Sequence, residues 1–261
     1  MRARLVEPST EQILAYCAED PVERVFLEDV ARRGHGRFAG LERDDGELHA
    51  LCHLGTNVVP SGSGSGAFAD LAARVSPRML IGEEAAVTEL WEAGRRRFGR
   101  PREDRPAQPV YVSNAAPESG GTGLRLATLD DLDTLVPACA RAHQEEVGVD
   151  PMRRDPNGFR WRTRTQIDEG RSWVWLEDGV ILFKAEASAW TPAAVQLQQV
   201  WVDPPARRNG NASRALRDLI GLLIARVPAV CLFVRAENAP AIRLYETVGM
   251  RRTLAYRSVL F

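Results

Sequence analysis

The segment 200–216, VWVDPPARRNGNASRAL, constrains the fold more than any other stretch of the chain. An apolar run enters Asp203-Pro204-Pro205, and proline ends a strand because it brings no N–H to the ladder. Arg207-x-x-Gly210-x-Ala212 then leads into Leu216–Val227, a strongly apolar stretch with helical spacing. Gly210 permits a backbone turn that a side chain obstructs, and the small Ala212 lets a ligand approach the backbone. Strand, glycine turn and helix in that order present unpaired N–H groups at the positive end of a helix, an arrangement suited to a pyrophosphate.

The surrounding pattern predicts a mixed α/β domain over 124–261. Leu124–Ala127 reads as a short strand, Asp130–His143 as a helix with Thr128 as its N-cap, and Asn157–Glu169 as a second helix. Ser172–Leu176, Val180–Ala189 and Val195–Val202 alternate like antiparallel strands, the first two joined at Glu177-Asp178-Gly179. Ala229–Arg235 then reads as a buried strand, Pro240–Val248 as a helix opened by proline, and Arg252–Leu260 as a last strand. Upstream, residues 1–115 are expected to form a smaller α/β domain, with 116–123 as a linker. The Pro- and Gly-rich region from Arg100 to Gly123 is interrupted only by Val110-Tyr111-Val112, read as a short edge strand. Residues 56–94 repeat the order strand, glycine-rich loop, helix, strand, helix, which suggests a degenerate tandem repeat.

A second signal completes the first. FVRAENAPAIRLYETVGM places Asn238 after a strand, with Ala241, Leu244, Tyr245, Gly249 and Met250 at set intervals behind it. With Arg207, Gly210 and Ala212, this resembles the GNAT acetyltransferase family, over roughly Leu124 to Phe261. The resemblance implies the GNAT fold, a central, mostly antiparallel and splayed sheet flanked by helices, preceded by a degenerate GNAT-like half. It implies an acetyl-CoA-dependent N-acetyltransferase that moves the acetyl group to a primary amine by direct attack in a ternary complex. Acetyl-CoA is the co-substrate, and no metal is expected. Val200, Trp201 and Val202 would run beside the pantetheine arm, while Arg207, Arg208, Asn209, Gly210, Asn211, Ala212 and Ser213 would surround the pyrophosphate. Asn238 would contact the cofactor, and Tyr245 would protonate the departing thiolate.

The match departs from the family where a base is often found. GNAT enzymes frequently carry a glutamate on the fourth strand, and this chain has Gln196-Leu197-Gln198-Gln199 there. Glutamine accepts no proton at working pH, so Glu186 on the preceding strand is expected as the catalytic replacement. Gln198, Glu145 and Glu146 are expected on the acceptor side, where acids suit a cationic amine; His143 is a further candidate base. The glutamines also leave room for an alternative, a non-catalytic acyl-CoA-binding sensor or regulatory protein. The N-terminal glycine loop lacks the R-x-x-G-x-A pattern, and its later helix offers Trp91 in place of a tyrosine, so no turnover is expected there.

Bulk properties narrow the partners. The 261 residues are 44% hydrophobic and 26% charged with a formal net charge of -1, which argues against a nucleic-acid or membrane-surface protein. Cys17, Cys52, Cys139 and Cys231 are widely spaced and read as reduced core residues. Neither a signal-peptide-like segment nor a run of transmembrane length is present, so a cytoplasmic protein is expected, monomeric or homodimeric, with a small molecule or a protein as amine acceptor.

Overall fold

The computed structural model describes residues 4–261. Its N-terminal part runs β1 (Arg4–Val6), α1 (Thr10–Glu19), α2 (Val25–Arg32), β2 (Phe38–Glu42), β3 (Leu48–Leu54), β4 (Asn57–Gly62), α3 (Ala69–Arg74), β5 (Met79–Glu83), α4 (Glu84–Gly94) and β6 (Glu103–Ser113). The remainder runs β7 (Arg125–Leu126), α5 (Leu132–Val147), α6 (Pro151–Arg154), α7 (Pro156–Asp168), β8 (Ser172–Glu177), β9 (Val180–Trp190), β10 (Ala194–Val202), α8 (Asn211–Ile224), β11 (Ala229–Phe233), α9 (Ala239–Thr247) and β12 (Arg251–Leu260). These elements form a mixed α/β fold, as expected from the sequence.

All strands belong to one 12-stranded sheet, ordered β1-β2-β3-β4-β5-β12-β6-β11-β10-β9-β8-β7. Pairing is antiparallel except at β4–β5 and β10–β11, so each half contains one parallel pair. The halves exchange their last strands. β12 pairs with β5, while β6 pairs with β11, and the two exchanged strands pair with each other. The stretch around Val110 is therefore not an edge strand, as its prolines suggested, but part of an 11-residue strand at the centre of the sheet. Pro109 and Pro106 are accommodated because β6 and β12 shift register between Arg252 and Ala255 and again between Tyr256 and Ser258, and Ala107 takes a positive φ of 53°.

Alternation along the strands divides the core between two faces. On one face α8 and α9 cover Trp173, Phe183, Val195, Leu197, Val230 and Leu232. On the other, α5 and α7 cover Val174, Ile181 and Trp201. Helix α2, from the N-terminal half, crosses onto strands of the C-terminal half: Val25 packs with Val110, Ala194, Ala229 and Cys231. A buried ion pair, Asp29–Arg171 at 2.7 Å, fixes that crossing. All four cysteines are buried and unpaired. Among the described residues, no helix is long and apolar enough to cross a membrane.

Candidate active site

The parallel pair β10–β11 is joined only from Ala194↔Ala229 to Gln196↔Cys231. Beyond that point β11 stays paired to β6 through Phe233↔Val110, while β10 bends away. A bulge causes the divergence: three residue steps on β10, from Gln198 to Trp201, face two on β9, and Gln199 takes a φ of 53°. Two adjacent strands thus separate into a V with a free backbone edge inside it.

Which residues own that edge follows from the register. Asp203 donates its N–H to Leu182 on β9, so Val202, one residue earlier, turns its peptide groups toward the opening. Trp201 opposes Lys184 on β9, and its indole packs into the α5–α7 core with Nε1 donating to Glu145 at 3.3 Å. The backbone groups of Trp201 thus face β9, while the residue itself borders the cleft described below.

At the mouth of the V the chain turns into α8. Gly210 is the N-cap with a φ of 78°, a left-handed conformation that favours glycine, and no side chain caps the helix. Arg208 is left-handed as well, at 66°. The N–H groups of residues 208–213 donate to no acceptor among the described residues. Asn211 instead uses Nδ2 to hold the loop, donating to the Ala206 carbonyl at 3.0 Å. Arg207 serves the loop and the wall together: Nε donates to the Val202 carbonyl at 3.0 Å and Nη2 to Glu145 at 2.7 Å.

One cleft of about 2040 Å³ joins this loop to the rest of the expected site. Val200, Val202, Gly210, Ala212, Ser213 and Asn238 line it, as do Gln198, Glu145 and Glu146; Asn209 does not. Asn238 caps α9 by accepting from the Ala241 N–H at 3.2 Å. Tyr245 is 6% exposed and borders the cleft, its ring tilted 5.6 Å from that of Tyr111. Its hydroxyl bonds to nothing among the described residues, and burial, with Glu146 adding to it, raises its pKa, so the proton stays on oxygen. Glu146 is tied down by Gln199, which donates to it at 2.8 Å, and by Arg235, which reaches across from the end of β11 to its carbonyl.

Glu186 is placed differently from the expectation. It lies off the cleft, with Oε1 held by Lys184 Nζ at 2.6 Å and by Cys139 Sγ at 3.2 Å. Gln198 bridges it to the cleft through a long contact of 3.5 Å. The carboxylate expected as the base is thus bonded to Lys184 and Cys139 and meets the cleft only through Gln198. His143 does border the cleft, and burial lowers its pKa below the ordinary imidazole value.

The N-terminal parallel pair has no such opening. A Cβ on Gly82 would meet the Pro60 carbonyl at 2.9 Å, so β4 and β5 remain close. Gly66, in the loop after β4, lies against Ala93 and the Glu89 carbonyl of α4, which close the position equivalent to the α8 N-terminus. What the N-terminal half does contribute was not visible from the sequence. Glu23, before α2, lines the cleft and accepts from Ser61 Oγ at 2.8 Å, and burial pushes its pKa to about 7. Arg105 and Arg235 line the cleft too, although they are 130 positions apart and no motif joins them.

A strand pair opened for a third strand, beside an uncapped helix N-terminus, defines the C-terminal half as an acyltransferase fold. Residues 133–250 match the Acetyltransferase (GNAT) family, and this half of the chain belongs to it. Residues 36–135 match a domain of unknown function, DUF4081. No curated protein matches the chain. Its fold is similar to a GCN5-related N-acetyltransferase from Sphaerobacter thermophilus, 20% identical, with 99% of this chain and 94% of that one covered and a TM-score of 0.57. A GNAT-family acetyltransferase from Colwellia psychrerythraea is 12% identical, with both chains covered over 100% and a TM-score of 0.59. A tandem GNAT protein from the clavulanic acid biosynthesis pathway is 12% identical, with 99% and 98% covered and a TM-score of 0.57. At these identities the likeness concerns the fold.

Proposed function

We propose that the protein transfers an acetyl group from acetyl-CoA to a primary amine by direct attack in a ternary complex. The observation that carries this reading is the continuity of one cleft from the free N–H groups of residues 208–213, along the open Val202 edge, to the unbonded Tyr245 hydroxyl. The loop fits a pyrophosphate because its donors lack acceptors and because the space beside Gly210 is open. The β10 edge fits an amide-bearing arm, which would add to it as a strand does.

Acetyl-CoA supplies the activated acyl group. The neutral amine attacks the thioester carbonyl, the C–S bond breaks, and Tyr245 gives its proton to the thiolate. Glu145 and Glu146 border the amine's path and favour its approach as a cation, which gives one proton to neutral His143 before attack. The second proton, shed by nitrogen after attack, passes to the Tyr245 oxygen and restores its hydroxyl.

The test is calorimetric titration of acetyl-CoA into the wild type and Ala212→Glu. A glutamate in the first turn suits the dipole of α8, so the fold is kept, while its charge opposes a pyrophosphate. Binding by the wild type and not by the variant, followed by CoA release with primary amines, is expected. A folded wild type that fails to bind acetyl-CoA overturns the reading; binding with no turnover on any amine favours an acyl-CoA sensor.

A further inference from the structure

The cleft continues past the transfer site onto the centre of the sheet. Glu23 and Phe26 from the N-terminal half line it, as do Arg154, Phe159 and Arg162 of the α6–α7 region. Its floor holds Gln108 bonded to Ser258 at 2.8 Å, and next to them a group of arginines around one acid. Arg105 Nη2 lies 2.6 Å from Glu103 Oε2, and Arg235 Nη1 lies 3.6 Å from Glu103 Oε1. The contact from Arg105, then the charges of Arg105, Arg235 and Arg102, holds the Glu103 carboxyl below its ordinary pKa. Asp104 offers no further compensation, since it pairs with Arg257 at 2.7 Å.

Two observations mark this cluster as more than an ion pair. Arg105 and Arg235 flank a single carboxylate and Arg102 adds its charge, so the basic groups outnumber the acid that they hold. Arg105 Nε and Arg235 Nε are also buried and have no hydrogen-bond partner among the described residues. The two side chains keep 12% and 35% of their surface exposed, so a ligand in the trough meets the part of each side chain beyond Nε. Guanidinium groups match planar or tetrahedral oxyanions through paired donors.

We propose that the acceptor amine carries an oxyanion, a carboxylate or a phosphate, and that Arg105 and Arg235 receive it on the floor of this trough. The inference rests on the acetyl-transfer reading. It gives the N-terminal half a role in the reaction, because Arg105 comes from β6 and Arg235 from the end of β11, strands that the exchange makes neighbours. One half holds the cofactor, and both hold the acceptor.

The test compares primary amines that differ in the anionic group: β-alanine, phosphoethanolamine and ethanolamine, and dipeptides against their C-terminal amides. Turnover is read as CoA release, and acetyl-CoA affinity by calorimetry. The anionic members are expected to exceed the neutral ones in kcat/KM by about ten- to a hundredfold, as for a charge-assisted hydrogen bond. The preferred member distinguishes carboxylate from phosphate. Arg105→Gln and Arg235→Gln, checked by circular dichroism, are each expected to raise the acceptor KM and remove most of the preference without changing the acetyl-CoA Kd. Equal use of neutral and anionic amines overturns the inference, as does a preference that survives both substitutions or an effect confined to acetyl-CoA binding. If no amine turns over although acetyl-CoA binds, the same probes are titrated in the presence of CoA, and equal or absent binding of acids and amides overturns it. Failure of the wild type to bind acetyl-CoA removes the transfer reading instead.

Discussion

Lys184 Nζ lies 2.6 Å from Glu186 Oε1, and this lysine, the only one in the chain, is completely buried. Burial alone lowers an ammonium pKa, but Glu186 and Cys139 outweigh it and raise that of Lys184, so the pair is ionic. Lys184→Met strands a buried carboxylate and is expected to cost about 3–5 kcal/mol, read as a lower urea midpoint. Lys184→Met with Glu186→Leu removes both charges and is expected to recover most of the loss. Equal destabilisation by the single and double variants would contradict a charge-pair origin.

Tyr245→Phe keeps the ring against Tyr111 and removes only the proton donor. kcat is expected to fall about a hundredfold or more while the acetyl-CoA Kd stays unchanged. Because burial raises the pKa of Tyr245, the wild type should hold its kcat past about pH 10, where an ordinary tyrosine loses its proton. An alkaline limb below that, lost in the phenylalanine variant, would show a different proton inventory.

His143 acts as a base only when neutral, and burial lowers its pKa from the ordinary value. kcat/KM is therefore expected to be flat near neutrality and to fall only as the pH drops through a value below about 6.5. His143→Gln should lower the plateau and abolish the acid limb. Retention of the limb in that variant assigns it to another group.

Asp218 on α8 secures the linker, accepting from Ser119 Oγ at 2.7 Å, from the N–H groups of Gly120 and Thr122, and from Thr122 Oγ1 at 2.6 Å. Burial pushes its pKa up, but these bonds outweigh it and hold the carboxyl at about 2. A carboxyl lowered on folding stabilises the fold above its unfolded pKa of 3.8 and loses that contribution as the pH falls toward about 2. Asp218→Ala should cost about 1–3 kcal/mol at neutral pH and flatten the stability profile between those values. An unchanged profile in urea unfolding across that window would remove the latch from the account.

The loop at residues 207–213 and the helix from Asn238 were legible because their chemistry is local. A turn, a cap and the N–H groups that they free lie within a few residues of one another, so spacing alone reports them. Helix α8 begins at Asn211, ahead of the apolar stretch that announces it, because the first turn faces the cleft and needs no apolar side chains. The degenerate character of the N-terminal loop was also legible as a missing motif.

Other features depend on which distant segments meet. The strand around Val110 carries prolines that suit an edge, yet pairing with β11 and β12 places it at the centre, and only those partners, more than 100 positions away, decide that. Glu186 looked free because Lys184 is two positions away on the same strand face, a spacing that does not reveal whether the two side chains bond or diverge. Arg105 and Arg235 carry no local signal. By itself the sequence determined the turn and open helix start at residues 207–213 and the acetyltransferase family, through short-range backbone chemistry. The tertiary structure alone decided the exchanged strands, the sequestered glutamate and the shared trough, because each arises from long-range pairing that brings charges from both halves into one desolvated space.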